Sequence, residues 1–288
     1  MGPVDKEIEN YLNNKLDLLE QHFGADVIEF FGPLIEGIDE RFKKHVEDIK
    51  SNPRDGHTTR KLVLILTTPG GSAEAVERIV NVLRYHYEEV NFVIPDYAYS
   101  AGTILCMSGD NIYMDYYSVL GPIDPQVQNK EGRLVAALGY LDKANELIEK
   151  AQCGELTDAE FLILKDLDLA ELRAYEQSRD LTIALLKKWL VNYKFRNWNI
   201  YTSTGKPVTL EEKEARAEEI ARELGKTSKW HTHSRPISIK ELTEMNLRIS
   251  DYSDDTELKS IIDQYYSVLI DYIRKYNLNF HFHTRRYI

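Results

Sequence analysis

The spacing of hydrophobic residues changes several times along this chain, and each change predicts an element. Between Asp5 and His22, Ile8, Leu12, Leu16 and Leu19 recur at helical spacing and predict an amphipathic lead-in helix. Ala25 to Phe31 is β-branched and aromatic, as a short strand requires. Leu34, Ile38, Phe42, Val46 and Ile49 then share one face of a predicted helix over 34–50. After a turn-forming stretch at 51–57 comes Leu62–Leu66, a continuous apolar run of the kind a covered parallel sheet produces.

The next segments repeat a strand–turn–helix order. Thr67-Thr68-Pro69-Gly70-Gly71-Ser72 is a turn, and Ser72 and Glu74 suit the start of a helix with Ala75, Ile79, Val82 and Leu83 inward. Asn91–Pro95 reads as a strand, Ser100–Met107 as a helix, Ile112–Met114 as another strand, and Ser118–Gln126 as a loop. This alternation predicts an α/β domain with right-handed crossovers. From Leu134 the pattern turns helical: 138–153, a segment capped by Thr157 with Glu160 at capping-box distance, 169–198, 210–224 closed by Gly225, 239–245 and 254–276. The tail from Asn277 alternates, as an edge strand or a subunit contact would. The expected organisation is an N-terminal helix (1–24), an α/β core (25–153) and a mainly helical C-terminal extension packed on it (154–288).

Composition narrows the function classes. The 288 residues are 29% charged and 43% hydrophobic, ordinary for a soluble globular protein and ample for a core. A net charge of −11 argues against a general nucleic-acid binder. The basic residues Arg274, Lys275, Arg285 and Arg286 near the end run against that balance. Cys106 and Cys153 are too few for a disulfide framework or a metal knuckle, and Cys106 reads as a small core residue. No apolar run approaches the ~18 residues of a spanning helix. The polar, acidic start is neither a signal peptide nor an anchor. The expectation is a cytoplasmic protein, with membrane association only through a segment outside this chain.

Two turns carry candidate chemistry. The diglycine turn and the turn at Ser100 both follow apolar strands, so both lie at carboxyl ends of strands, where parallel α/β sheets place their sites. Each precedes a helix, whose N-terminus offers unpaired N–H groups and favours negative charge. Taken singly, a diglycine is a tight turn and a serine is a common N-cap. Together they suggest a nucleophile facing an oxyanion hole.

The ordered set TTPGGS (67–72), AYSAGT (98–103), GPIDPQ (121–126) and the later element from His233 to Ile237 resembles the Clp protease and crotonase superfamily. Within it, the chain is most similar to the SppA-like branch called the serine dehydrogenase proteinase family. The resemblance spans about Ala25–Cys153 and, beyond that, mainly the short His233 element. It implies an α/β Clp protease/crotonase-like core of repeated β-β-α units and makes Ser100 the nucleophile. Gly70 or Gly71, with the N–H of Ala101, would then form the oxyanion hole. The Clp proteases place a histidine in a loop equivalent to Leu120–Pro125, where this chain has none. SppA-like enzymes use a lysine on the following helix, and Lys143 stands at a fitting distance, with Lys130 and Lys150 as lesser substitutes. Such a lysine works as a base only when desolvated. His233 is read as structural first and as site-shaping second. Asp124 would orient Lys143 or His233, or simply hold the proline-rich loop. His231 and His233 lack further ligands nearby, so no metal is expected, and no cofactor either. His281 and His283 read as solvated or interface residues.

The leading expectation is a serine endopeptidase with a Ser100–Lys143 dyad that binds peptide or protein substrate as an added strand beside Gly70-Gly71. A homo-oligomer is implied by the resemblance. Two other readings stand beside it: a catalytically silent oligomeric scaffold that binds peptide, and a crotonase-type acyl-CoA enzyme, for which no CoA-binding feature is evident.

Overall fold

A computed structural model describes residues 2–56, 58–128, 132, 134–201 and 203–288. The strands are β1 (Asp26–Phe31), β2 (Lys61–Thr67), β3 (Glu89–Val93), β4 (Tyr97–Ala98), β5 (Asn111–Met114), β6 (Val119–Leu120), β7 (Gln126–Gln128), β8 (Leu134–Ala136), β9 (Ser250–Asp251) and β10 (His281–Thr284). The helices are α1 (Pro3–Phe23), α2 (Ile38–Ser51), α3 (Ala73–His86), α4 (Ala101–Cys106), α5 (Ala137–Cys153), α6 (Asp158–Lys165), α7 (Leu169–Trp189), α8 (Leu210–Gly225), α9 (Thr227–Trp230), α10 (Ile239–Glu244) and α11 (Thr256–Tyr276).

Six strands form the main sheet in the order β10-β1-β2-β3-β5-β9. The five from β1 to β9 run parallel, and β10 is antiparallel at the edge. Burial on both faces explains the unbroken apolar run of β2. Leu62, Leu64 and Leu66 pack on the face covered by α2 and α3, whereas Val63 and Ile65 pack on the face covered by α1 and α11. Each fully buried aliphatic side chain contributes roughly 1.5–3 kcal/mol, so the two faces together dominate the stability. Leu185, Leu186 and Trp189 of α7 and Ile220 and Ala221 of α8 join the first of these cores. The fold is a parallel-dominated α/β architecture with a large helical complement.

Several elements differ from expectation for local reasons. Leu34 leaves the predicted helix and pairs as a parallel bridge with Gly71. The helix begins only after Gly37, which adopts φ +84°. The loop 118–126 contains β6, which pairs parallel with β4. The long helix expected over 169–198 ends at Trp189 and widens into a π turn at Leu190–Lys194. Gly225 is the last residue of α8 rather than a left-handed cap, and a Cβ there would lie 3.3 Å from Leu138 Cδ1.

The tail departs most from its sequence reading. It is the edge strand, but His281 and His283 are buried rather than solvated. His281 Nδ1 lies 2.8 Å from Glu29 Oε2, and His283 lies 2.8 Å from the Tyr265 hydroxyl and 3.0 Å from Asn13 Oδ1. Burial, with the neighbouring His281, pushes the His283 imidazole down to about 3. Arg285 is likewise drawn inward, to Glu20 at 2.8 Å and Asp26 at 2.6 Å.

Candidate active site

Ser100 sits between β4 and α4 with φ 53° and ψ −119°. A non-glycine residue in that region is strained, by about 1–3 kcal/mol, and such strain clusters at functional sites. Serine on a sharp, strained strand-to-helix turn is the geometry that exposes a nucleophilic hydroxyl at a sheet edge. Ser100 occupies the N-cap position of α4, yet its side chain makes no capping hydrogen bond. Ser72 does what an N-cap serine normally does: its Oγ accepts the Ala75 N–H at 3.1 Å. The two serines of the motif therefore have different local roles.

The diglycine turn is packed against Ser100. A Cβ on Gly70 would lie 2.7 Å from Ser100 Cβ and 2.7 Å from the Tyr99 carbonyl oxygen, and Gly70 has φ +100°. Only glycine permits both that conformation and that approach. The Gly70 N–H donates to Thr68 Oγ1 at 3.0 Å. Leu34 N–H donates to the Gly70 carbonyl at 2.8 Å, and Ser72 N–H donates to the Leu34 carbonyl at 2.9 Å. Because alternate residues of an extended chain point to opposite sides, this pairing turns Gly71 N–H and C=O away from Leu34. The segment carrying Ser100 pairs on through Thr68 and Ala98. At the start of α4, the Gly102 N–H donates to the Tyr99 carbonyl and the Ile104 N–H to the Ser100 carbonyl. Ala101 N–H stands at the first helical position, where no intrahelical acceptor exists.

The GPIDPQ loop runs along the other side of the Ser100 turn. Tyr97 pairs with Val119 and Ala98 with Leu120. Thr103 Oγ1 lies 2.9 Å from the carbonyls of both Ala98 and Gly121 and accepts the Gly121 N–H at 3.0 Å, which staples loop to turn. A Cβ on Gly121 would meet Tyr99 Cδ1 at 2.5 Å. Leu120 in turn forms an antiparallel bridge with Ile237, with N–H donated in both directions at 3.0 and 2.9 Å. Continued in register from that bridge, the two segments set Asp124 opposite His233.

The side chains meet there. His233 Nδ1 donates to Asp124 Oδ1 at 2.9 Å, and Gln126 Nε2 donates to Asp124 Oδ2 at 3.0 Å. The Asp124 carboxylate is 6% exposed and the imidazole 25%. Nδ1 carries the proton because its partner is a carboxylate, an assignment made from the hydrogen-bond network. In that tautomer Nε2 is the ring's acceptor nitrogen. Around the Ser100 turn, Tyr97 and Tyr99 stack with centroids 5.3 Å apart, and burial together with Asp96 raises both phenols.

The expected lysine is differently placed. Lys143 lies on α5 with its side chain 58% exposed and its ammonium 2.8 Å from Glu146. An exposed side chain lacks the desolvated surroundings that a lysine base needs. Lys150 is likewise tied, to Glu160 at 2.6 Å, and its ammonium is raised by that contact. Lys130 lies outside the described residues. His231 is exposed with φ 65° and does not join His233 in a cluster, and no group of metal ligands occurs among the described residues. A cavity of about 460 Å³ opens beyond Asp124, lined by Ile123, Pro125, Leu138 and Leu141 among others, but neither Ser100 nor His233 lines it.

The Asp124–His233 contact is one of the two orientations the sequence reading allowed for Asp124, the other being towards Lys143. Its signal was present in two short elements that the motif search singled out separately. Nothing in their spacing indicated the antiparallel bridge that joins them.

Comparison with known proteins finds similar sequences and structures. Over 187 residues the chain is 30% identical to MJ1495, an uncharacterized protein of Methanocaldococcus jannaschii, covering 65% of this chain and 51% of that one. Over 247 residues it is 28% identical to MJ0137 of the same organism, covering 84% and 68%. The chain thus spans about half the length of the first of these relatives. Among solved structures it is similar to a mutant of the 1510-N membrane-bound stomatin-specific protease, with TM-score 0.46, 14% identity and coverage of 82% and 81%. It is also similar to a ClpP1 mutant from Listeria monocytogenes, with TM-score 0.41, 12% identity and coverage of 82% and 98%. No helix among the described residues is long and apolar enough to cross a membrane. A family profile matches residues 23–212, well over half the chain, and on that match the chain belongs to the ClpP-like SDH-type serine proteinases.

Proposed function

We propose that this protein is a serine peptidase whose base is His233, oriented by Asp124, and whose nucleophile is Ser100. The observation that carries this reading is the Asp124–His233 hydrogen bond on the strand pair that borders the Ser100 turn. The chain order is then Ser, Asp, His, an order also used by the α/β-hydrolases.

Each residue has a defined task. Ser100 Oγ attacks the scissile carbonyl carbon while its proton passes to His233 Nε2. Asp124 holds the imidazole in the tautomer that leaves Nε2 free and stabilises the imidazolium once it forms. The N–H groups of Gly71 and Ala101 receive the developing oxyanion, because the Gly70 N–H is already given to Thr68. Collapse of the tetrahedral intermediate returns the proton from His233 to the leaving amine. Water, deprotonated by the same Nε2, then hydrolyses the acyl-enzyme. A peptide would lie as an added strand against the outward edge of Gly71. In this reading Lys143 has no chemical role. The reading includes self-association, supported by Phe161, Leu162 and Ile163 of α6, which are 55%, 66% and 55% exposed.

Covalent labelling with a fluorophosphonate, read by intact mass, tests it. Wild type should label, and Ser100→Ala and His233→Ala should not. Labelling that survives His233→Ala but disappears in folded Lys143→Ala would restore the lysine dyad. No labelling of wild type at any pH from 6 to 10 would favour the scaffold reading.

A further inference from the structure

A second cavity lies at the opposite edge of the sheet. Its volume is about 730 Å³, and Glu89 and Asn111, the first residues of β3 and β5, form part of its wall. Ser100 stands at the carboxyl ends of those strands, so the two sites are distinct.

The charges around this cavity do not balance. Asp110 is already occupied by Arg84 at 2.8 Å and Arg196 at 2.6 Å. Glu89 is held by Lys61 at 3.3 Å and by Asn91 at 2.9 Å, and Arg216 is paired with Glu219 at 2.8 Å. Two cations remain. Neither Lys194 nor Arg248 forms an ion pair among the described residues, and the one polar contact of the Lys194 ammonium is the Asp110 carbonyl at 3.4 Å. Burial, with the Arg248 charge added to it and the nearby Asp110 carboxylate only partly opposing them, pushes the Lys194 ammonium down to about 8. Two like charges facing one cavity in a protein of net charge −11 call for an anion between them.

The rest of the wall is aromatic. Trp198 and Tyr201 line the cavity with ring centroids 5.4 Å apart in an edge-to-face arrangement, and Trp198 also meets Phe195 at 5.5 Å. Lys194, which lines the cavity, is the last residue of the π turn at Leu190–Lys194 that follows α7. Such turns are rare and are frequently found at functional sites.

We propose that this cavity binds a small ligand carrying a phosphate monoester on a planar ring, of the nucleoside monophosphate class. A phosphate monoester bears about −1.5 to −2 charges at neutral pH, which matches the two cations that lack an ion pair among the described residues. The Trp198 and Tyr201 rings supply a stacking surface for the base.

Isothermal titration of the whole chain with AMP, adenosine and inorganic phosphate at fixed ionic strength tests the assignment. AMP should bind at least about tenfold more tightly than adenosine or phosphate, the ratio that one good charge-assisted or stacking contact supplies. Arg248 is exposed, so Arg248→Gln should leave the fold intact and weaken AMP about tenfold. Trp198→Leu should bring AMP close to phosphate. Lys194→Met should also weaken AMP, and Arg248→Gln decides alone if that variant fails to fold. No heat with AMP, phosphate binding as tightly as AMP, or AMP affinity unchanged in Arg248→Gln would each overturn the assignment.

Discussion

Asp124 and His233 are 109 positions apart in the chain and 2.9 Å apart in space, joined Oδ1 to Nδ1. Their meeting follows from one antiparallel bridge, Leu120 to Ile237, whose register carries forward to set them face to face. Leu120 is also the neighbour of Ala98, two positions before Ser100. A single short strand thus borders the segment bearing the serine on one side and the segment bearing the histidine on the other.

Asp124→Asn tests the orienting role with little change of shape. An amide in that position donates as well as accepts, so the imidazole can bind it through the wrong tautomer. The fluorophosphonate labelling rate at pH 7 should fall by about 10⁴-fold, the size of the effect of this substitution in a serine triad. A rate within a few-fold of wild type would mean that His233 does not depend on Asp124.

Lys143→Ala separates the two candidate bases. An exposed pair such as Lys143–Glu146 contributes about 0–1 kcal/mol. Labelling should stay within about twofold of wild type and the thermal midpoint should barely move. Loss of labelling in a folded Lys143→Ala protein would overturn the histidine assignment.

Gly71→Ala should damage both fold and activity. A Cβ there would lie 2.2 Å from the Leu34 carbonyl oxygen, and the backbone has φ +154°. Backbone must therefore move, opening the Leu34 bridge and displacing the N–H proposed for the oxyanion. A loss of about 1–3 kcal/mol in denaturant unfolding is expected. Ser72→Ala, by comparison, removes only a helix cap, costing about 1 kcal/mol, and should leave labelling nearly unchanged.

His283 makes stability pH-dependent. Its folded imidazole titrates at about 3, below the unfolded value near 6.5. Between those values the unfolded chain binds the extra proton, so the contribution is fully present above pH 6.5 and is lost progressively as pH falls towards 3. Roughly 2 kcal/mol should disappear between pH 7 and pH 5. Urea unfolding across that range should show the slope in wild type and a shallower one in His283→Gln. Equal slopes would overturn the assignment.

Much of the architecture was legible because local pattern and burial agree. The continuous apolar run 62–66 is a strand covered on both faces, and the Thr157–Glu160 box caps a helix as its spacing requires. Ser100 and the two glycines were legible because a strained turn and a close backbone approach demand particular residue types. Leu34 was misread because an apolar residue at helical spacing can equally serve a bridge, and Gly37 decides where the helix begins. His281 and His283 were misread because polarity alone does not reveal that Glu29, Tyr265 and Asn13 await them inside.

By itself the sequence determined an acidic α/β protein with a serine and a diglycine at neighbouring strand ends. It also marked the loop and the late histidine element as separate signals. Tertiary structure alone decided which of these side chains meet. Periodicity reports which face of an element is buried, but pairing between distant strands depends on the register of backbone hydrogen bonds. That register brings His233 onto a buried carboxylate, whereas Lys143 lies on an exposed face of α5 beside Glu146.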